Sequence, residues 1–286
     1  MTSIMFPAVI VGGIGLICAI VLVVAAKVMA LPADELFDSI RAELPGANCG
    51  ACGYAGCDDY AKAVAHDGAK TNLCVPGGAG VAAKVSAAMG VAAESVEAKY
   101  AVVRCSGNCY ATDSVMDYKG KQSCAACNFF YQGKGSCSHG CLGYGDCINA
   151  CQYGAISIVD GIAVIDKAAC VGCGMCAKAC PNQLITVIPA SSTVYVGCSS
   201  HDKGAFTRKV CKNGCIGCKK CERTCEHGAI TVTDNLASID PEKCVNCGNC
   251  VTACPTGAIV TCESRCEAIV KGAYFAAFWG LKSNNE

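Results

Sequence analysis

Cysteine is the residue type in this sequence that is best placed to do chemistry, because the chain holds 29 cysteines in 286 residues. Such a density is typical either of a disulfide scaffold or of thiolates that bind metal. Most of these cysteines stand in tight runs, with only two or three residues between one cysteine and the next. Two cysteines so close in sequence are poor disulfide partners, but their thiolates can share a metal cluster. The spacing therefore favours metal binding.

The first group of cysteines follows a short stretch, Leu36 to Leu44, in which apolar residues recur at helical spacing. The group has the spacing Cys-x2-Cys-x4-Cys-x16-Cys, with glycines that let the backbone fold around an inorganic core. A zinc site would usually present two Cys-x2-Cys knuckles, and this group has one. The pattern therefore predicts a [4Fe–4S] cluster. Its ligands would be Cys49, Cys52, Cys57 and Cys74.

An internal repeat occupies the second half of the chain. Its cysteines recur at an offset of 74 residues, so that Cys137 corresponds to Cys211 and Cys180 to Cys254. Each copy contains an alternating hairpin pattern around a short turn, at residues 155–165 and 229–239. A hairpin between two Cys-x2-Cys-x2-Cys-x3-Cys runs is typical of the bacterial two-cluster ferredoxin, in which the fourth cysteine of each run binds the cluster of the other run. The repeat thus predicts one ferredoxin-like unit used twice.

This cross-over pattern predicts three complete ligand sets, and their regular spacing makes structural zinc a poor alternative. In the second copy, one cluster would be held by Cys215, Cys218, Cys221 and Cys254, and the other by Cys225, Cys244, Cys247 and Cys250. In the first copy, one cluster would be held by Cys151, Cys170, Cys173 and Cys176.

The first copy departs from the pattern at one position. Tyr144 stands where the second copy has Cys218, so the remaining set is one ligand short. A cysteine four positions before Cys141 can make up the number. The predicted set is Cys137, Cys141, Cys147 and Cys180. A three-iron cluster or an empty site is the alternative.

Eight further cysteines are not needed by these five clusters. They could form a sixth cluster or remain buried free thiols, and the sequence does not choose between the two. They are Cys105, Cys109, Cys124, Cys127, Cys198, Cys211, Cys262 and Cys266.

The N-terminus carries a run of 23 uncharged residues, Ile4 to Ala26, ended by Lys27. Such a run is long enough to cross a bilayer as a helix. Since no basic residue precedes the run, a cleaved signal peptide is the weaker alternative. The positive-inside rule then predicts a single-pass protein of the plasma or inner membrane whose C-terminal bulk is cytoplasmic. Cys18, within the run, is expected to act as a small apolar residue.

The remaining composition excludes several kinds of function. Lys and Arg (23) balance Asp and Glu (23), which gives no sign of nucleic-acid binding. With four histidines and no strand-linked Gly-x-Gly-x-x-Gly, we predict no catalytic residue and no cofactor site beyond the metal clusters. Flavin or nicotinamide chemistry would then lie on other chains. A basic stretch between Arg208 and Arg223 is either a docking surface for an acidic partner or an ordinary solvated face.

The whole arrangement resembles one known family. The uncharged run, the Cys49–Cys74 group and the motif Gly140-Cys141-Leu-Gly-Tyr-Gly-Asp146-Cys147 before a ferredoxin unit are similar to the B subunit of the Rnf complex. That membrane complex passes electrons between ferredoxin and NAD while pumping sodium ions or protons. The resemblance covers nearly the whole chain. It implies an entry point for electrons from soluble ferredoxin, with flavin- and NAD-binding subunits and membrane subunits as partners.

The second ferredoxin unit departs from the shorter members of that family, which carry one. A rival interpretation is a polyferredoxin subunit of a membrane hydrogenase or formate-type enzyme, but such subunits lack a group like Cys49–Cys74. A membrane-tethered redox or zinc-binding regulator is a further alternative.

The predicted fold class is α+β, with one transmembrane helix, a four-cysteine domain and two tandem ferredoxin-like units. The predicted boundaries are 1–31 for the anchor, 32–100 for the four-cysteine domain and linker, 101–195 and 196–262 for the two units, and 263–286 for a C-terminal helix or tail.

Overall fold

A computed structural model describes residues 2–28 and 34–263 of the chain. Helix α1 runs from Thr2 to Val28. A search of the described residues finds no helix with both the length and the apolar character needed to cross a membrane. The predicted single span is therefore not confirmed. Cys266 and all but the first residue of the predicted C-terminal tail lie outside the described residues.

The four-cysteine domain is built from three helices, which are α2 Glu35–Glu43, α3 Cys57–His66 and α4 Gly78–Met89. The amphipathic stretch predicted before the first cysteine group is confirmed by α2, whose N-terminal N–H groups are capped by the carboxylate of Asp34. Ile40 of α2 packs with Tyr60 and Val64 of α3 and with Val85 of α4. This core positions the cysteine-bearing loops around it.

The first ferredoxin unit consists of β1 Lys99–Val103, α5 Cys124–Asn128, α6 Asp146–Asn149, β2 Ile156–Val159, β3 Ile162–Ile165, α7 Met175–Ala179 and β4 Ile185–Pro189. The hairpin predicted at residues 155–165 is confirmed by the antiparallel pair of β2 and β3. Asp160 and Gly161 turn between them with φ angles of 50° and 82°, the left-handed values of a tight hairpin turn. Strand β1 pairs antiparallel with β4, so the first strand closes against the last.

The second unit consists of β5 Val194–Val196, α8 Gly204–Val210, α9 Lys220–Thr224, β6 Ile230–Thr233, β7 Leu236–Ile239, α10 Asn249–Ala253 and β8 Ile259–Thr261. Its predicted hairpin is confirmed by the pair of β6 and β7, and β5 closes against β8 as β1 does against β4. Each unit has its own apolar core, and several of its cysteines belong to that core, such as Cys147 and Cys176 in the first unit and Cys215 and Cys250 in the second. The ligand-bearing loops are therefore held by the same packing that holds the strands.

The two units differ in the length of one connection. Between Cys105 and Cys137 the first unit has 31 residues, whereas between Cys198 and Cys211 the second unit has 12. The longer connection carries α5. The outer strands β1 and β5 are consequently equivalent in the fold but do not share the 74-residue offset of the later elements.

Candidate metal centres

The four cysteines of the N-terminal group lie together beside α3. Cys57 begins this helix, and its backbone N–H donates to the side-chain oxygen of Asn48 at 2.8 Å, which closes the loop that carries Cys49 and Cys52. Burial raises the pKa of the Cys74 thiol, and charges on the other three thiols add to the rise. The four thiols therefore lie close enough for their charges to interact.

The second ferredoxin unit brings its eight predicted ligands together in two groups. One group lines a cavity of about 340 Å³ and consists of Cys215, Cys218, Cys221 and Cys254. In the other group, burial raises the pKa of Cys250, and the thiols whose charges add to this rise are Cys244, Cys247 and Cys225. The last cysteine of each run reaches the group formed by the other run, which is the ferredoxin arrangement.

In the first ferredoxin unit, the four ligands predicted around the second cysteine run also lie close together. Burial raises the pKa of Cys176 to about 11, and the thiols whose charges add to this rise are Cys170, Cys173 and Cys151. The charge of Cys49 likewise raises the pKa of Cys173, after the larger effect of burial. This group therefore adjoins the N-terminal group.

The remaining group of the first unit differs from the predicted one. Its cavity, of about 400 Å³, is lined by Cys124 as well as Cys141, Cys147 and Cys180, and Cys137 is not among the lining residues. Burial raises the pKa of Cys147 to about 12, and the charges of Cys141, Cys124 and Cys180 add to the rise. Cys124 is thus the thiol that lines this cavity together with Cys141, Cys147 and Cys180. The spacing rule missed it because Cys124 belongs to the long connection and not to either run.

Asp146 holds Cys124 in this position. The side-chain oxygen of Asp146 accepts hydrogen bonds from the Ser123 hydroxyl and the Ala125 backbone N–H, both at 2.9 Å, at the N-terminus of α5. Burial raises the pKa of Asp146, but these hydrogen bonds and one from the Cys124 N–H outweigh it, so the net pKa is lowered. A carboxylate at a helix N-terminus is also favoured by the helix dipole.

Cys137 lies in a different cavity, of about 470 Å³, between the two ferredoxin units. Three of the cysteines that the sequence analysis left unassigned line the same cavity, namely Cys105, Cys198 and Cys211. Burial raises the pKa of Cys137 to about 12, and charges on these three thiols add to the rise while the His139 N–H opposes it.

The other unassigned cysteines have separate environments. Cys109 is exposed. Cys127 is fully buried beside Leu142 and Tyr144. Cys262 contacts the hydroxyl of Tyr100, which also donates to the Ser192 carbonyl at 2.7 Å.

The thiol groups fit iron–sulfur clusters in their donor chemistry. The twenty predicted ligands are all thiols and not halves of disulfides. Backbone N–H groups donate to sulfur at 3.4 Å in three pairs, which are Ala101 with Cys170, Leu184 with Cys180, and Ala229 with Cys225. Such bonds stabilise thiolate charge and tune cluster potential. Buried thiols with raised pKa values would hold protons unless iron replaced them. Within residues 2–28 and 34–263, no three His, Cys, Asp or Glu side chains converge as they would around a single metal ion.

Comparison with protein families identifies the class. Residues 44–76 match a model described as a putative Fe-S cluster, residues 163–186 a 4Fe-4S binding domain, and residues 214–258 a 4Fe-4S dicluster domain. The chain is therefore an iron–sulfur protein with ferredoxin-type 4Fe-4S domains.

Three curated proteins narrow the identification. The chain is 43% identical to the B subunit of the ion-translocating oxidoreductase complex of Methanosarcina acetivorans, over 82% of this chain and 89% of the relative. It is 44% identical to the B subunit of the proton-translocating ferredoxin:NAD(+) oxidoreductase complex of Clostridium ljungdahlii, over 79% and 81%. It is 40% identical to the Na(+)-translocating counterpart of Acetobacterium woodii, over 85% and 73%. The chain belongs to this family of B subunits, as its resemblance to the Rnf complex implied.

Proposed function

We propose that this chain is the electron-transfer subunit of a membrane-bound, ion-translocating ferredoxin:NAD oxidoreductase, and that it accepts electrons from reduced ferredoxin. Each [4Fe–4S] cluster, when bound, accepts and releases one electron. The side chains of this chain hold the clusters, exclude water from them and set their spacing. Flavin and nicotinamide chemistry, and movement of the ion, fall to other subunits of the complex.

The observation that carries this proposal is the succession of thiol groups. The Cys49–Cys74 group adjoins the group of Cys173, as the effect of Cys49 on the pKa of Cys173 indicates. Lys178, on α7, supports this junction because its ammonium donates to the Cys49 carbonyl at 2.7 Å. Cys176 in turn adds to the raised pKa of Cys147, after the larger effects of burial and of three other thiols. Three groups therefore follow one another from the N-terminal domain into the first ferredoxin unit.

For the third of these groups, which contains Cys147, we propose a ligand set different from the predicted one. Cys124 replaces Cys137, which was predicted from its position four residues before Cys141, because Cys124 lines the cavity with the other three thiols. The proposed ligands are Cys124, Cys141, Cys147 and Cys180, and the other four sets are as predicted from the sequence.

Electrons from ferredoxin would enter at the second unit. Cys218 and Cys247 are the two proposed ligands there that are exposed, so a partner protein can approach their clusters closely. Lys219 and Lys220 directly follow Cys218 in sequence, and the Arg223 guanidinium donates to the Cys218 carbonyl at 3.4 Å. A basic surface beside an exposed redox group suits an acidic ferredoxin, because complementary charge speeds association.

We also propose that a single N-terminal helix anchors the chain in the membrane and that the cysteine-rich part that follows lies in the cytoplasm. The support for this anchor is the uncharged run from Ile4 to Ala26 and the exposure of large apolar side chains along it, such as Leu16 at 64% and Leu22 at 70%. Exposed apolar surface of this kind is stable in lipid. Introducing Lys at both Ile17 and Val21 should release the chain from membranes under alkaline extraction, whereas Lys at the exposed Val91 should not. Equal retention of both variants would argue against the anchor.

The whole function is tested on the complex purified without oxygen. Reduced ferredoxin and NAD⁺ should yield NADH, and Cys215→Ala should slow reduction of the chain by ferredoxin at least tenfold, since it removes a ligand at the entry group. Cys127→Ala, a buried thiol outside every proposed group, is the control. Two or three zinc atoms in place of iron would instead favour a regulatory role.

A further inference from the structure

The cavity that holds Cys137 is lined by matching cysteines from the two ferredoxin units. Cys105 and Cys198 each stand two residues after an outer strand, β1 or β5. Cys137 stands four residues before Cys141, and Cys211 stands four residues before the equivalent Cys215. Each unit therefore contributes the same two positions of its fold. Such a set would not be expected if these thiols were incidental core residues.

Sulfur atoms from the two units converge in this cavity. A Cβ atom placed on Gly107 would lie 3.4 Å from the Cys211 Sγ and 3.6 Å from the Cys105 Sγ, so both sulfurs face the same point of the wall. The cavity, at about 470 Å³, is larger than the cavities of about 340 and 400 Å³ that the ferredoxin-type groups line. The cavity therefore offers at least as much space as the cavities lined by the ferredoxin-type groups.

The backbone aims donors at these sulfurs as it does at the ferredoxin-type ligands. The Cys141 N–H donates to the Cys105 Sγ at 3.4 Å, and the Ser200 N–H donates to the Cys198 Sγ at 3.5 Å. N–H donors of this kind favour a charged sulfur, which is the form that binds iron.

Hydrogen bonds between the two units connect the walls of the cavity. The Ser199 hydroxyl donates to the Arg104 carbonyl at 3.0 Å, and the Asn213 side-chain amide donates to the Ser106 carbonyl at 2.9 Å. Each bond lies beside one of the cysteines. The walls of the cavity are therefore held at a fixed separation, as a rigid cluster requires.

We propose that Cys105, Cys137, Cys198 and Cys211 hold a sixth [4Fe–4S] cluster that bridges the two ferredoxin units. Cys141 lines both this cavity and the neighbouring one in the first unit. On the other side, Cys198 and Cys215 belong to one apolar cluster. Such a cluster, when bound, would pass electrons from the second unit to the first, and its source of electrons rests on the function proposed above.

Iron counting on the full chain tests the site directly. The chain, purified and reconstituted without oxygen, should hold about 24 irons and about 24 labile sulfides, because six clusters carry four of each. The double variant Cys105→Ala/Cys198→Ala should hold about 20 of each. The matched variant Cys109→Ala/Cys127→Ala, which removes two cysteines outside the cavity, should keep about 24.

Native mass spectrometry of the unmodified chain gives the same count without a substitution, so the test does not depend on the variant folding. Six clusters support the bridge. Five clusters, with the four cavity cysteines as free thiols, a disulfide or a zinc site, overturn the bridge and leave the proposed function intact. A chain that holds well under five clusters overturns both.

The rate of electron transfer within the chain is a second readout. After rapid mixing with reduced ferredoxin, the two clusters of the second unit should be reduced at an unchanged rate in Cys105→Ala/Cys198→Ala, which also shows that this unit is folded. Reduction of the clusters beyond the bridge, followed by EPR of freeze-quenched samples, should be at least tenfold slower. An equal rate of that later phase in the variant and the unmodified chain would overturn the bridging role.

Discussion

The two ferredoxin units share a backbone but differ in the source of one thiol. In the second unit, Cys218 stands in the first run and lines the cavity with its three companions. In the first unit, Tyr144 takes that position and Cys124 reaches the cavity from the long connection. The thiols around this cavity therefore include one from outside the run, while the surrounding fold is kept.

Two equivalent glycines show that the two units share the same backbone conformation beside the differing position. Gly143 and Gly217 precede the differing position in the two units, with φ angles of 74° and 64°. An added Cβ atom would approach the hairpin turn closely in both, to 2.5 Å from the Gly161 carbonyl oxygen and to 3.0 Å from Asn235. Each ligand loop thus packs directly against its own hairpin turn, and only glycine fits there.

The surfaces of the two units differ as well. Where the second unit has Lys219, Lys220 and Arg223, the repeat offset places Gly145, Asp146 and Asn149 in the first. The acidic residue of the first unit serves its own structure by holding α5. The basic residues of the second face solvent and form the surface proposed to receive ferredoxin. The same fold therefore carries two surfaces of different charge.

The largest expected effect comes from exchanging the differing thiol. Cys124→Ala should cost the first unit between one and four irons, because a group with three thiols holds a three-iron cluster or none. Adding Tyr144→Cys to this variant should restore the full count, since residue 144 then offers a thiol as Cys218 does. Iron analysis and EPR of the oxidised and reduced protein measure both.

The variant Cys137→Ala distinguishes between the two candidate ligand sets for this group, one with Cys124 and one with Cys137. If Cys137 belongs to the bridging site, Tyr144→Cys should not restore the iron that Cys137→Ala removes. If Tyr144→Cys restored the iron content of Cys137→Ala and not that of Cys124→Ala, the result would favour the ligand set with Cys137.

A smaller effect is expected from the carboxylate that positions Cys124. Asp146→Asn removes a charged acceptor of hydrogen bonds, each worth about 1.5–3 kcal/mol, and should speed iron loss from this group to a chelator about tenfold or more. Because the pKa of Asp146 is lowered, its stabilisation should persist at neutral pH and be lost only as the pH falls below the ordinary value of 3.8. Asp117→Asn, an exposed carboxylate of the same connection paired with Lys119, is the control. Equal rates in the two variants would count against the positioning role.

Because the basic surface lies on the second unit, we expect its removal to slow association with ferredoxin about tenfold. Replacing Lys219, Lys220 and Arg223 with Ala should lower the second-order rate of reduction by ferredoxin about tenfold at low salt, and the difference should vanish near 0.5 M salt, where charges about 4 Å apart or more are screened. Stopped-flow mixing measures the rate. Replacing the exposed residues Lys84, Lys119 and Lys121 changes the net charge equally, so an equal loss in that variant would show a general charge effect.

The smallest effect is expected where the first unit meets the N-terminal domain. Lys178 donates to the Cys49 carbonyl, whereas the offset places Thr252 at this position in the second unit. Lys178→Met should slow electron transfer between the Cys173 and Cys49 groups several-fold, because one charge-assisted hydrogen bond at a partly buried contact is lost. Lys70→Met, at an exposed lysine of the N-terminal domain, should leave the rate unchanged. Freeze-quench EPR follows this step.

Much of the fold was open to prediction from local patterns. The two hairpins followed from alternating apolar residues around turns such as Asp160-Gly161, and α2 from helical spacing. The outer strands β1 and β5 were not predicted, because strands of five and three residues pair with segments far along the chain and carry little pattern of their own. Their pairing depends on the assembled unit.

The sequence by itself determined the thiols that lie within one loop. Cys215, Cys218 and Cys221 are close neighbours along the chain, so their spacing limits the geometry they can adopt around a cluster, and the hairpin brings in the fourth. Only the tertiary structure decided that Cys124 joins the first unit and that Cys137 faces the cavity between units. Both assignments join residues separated by long connections, and the position of such residues depends on packing between elements and not on local spacing.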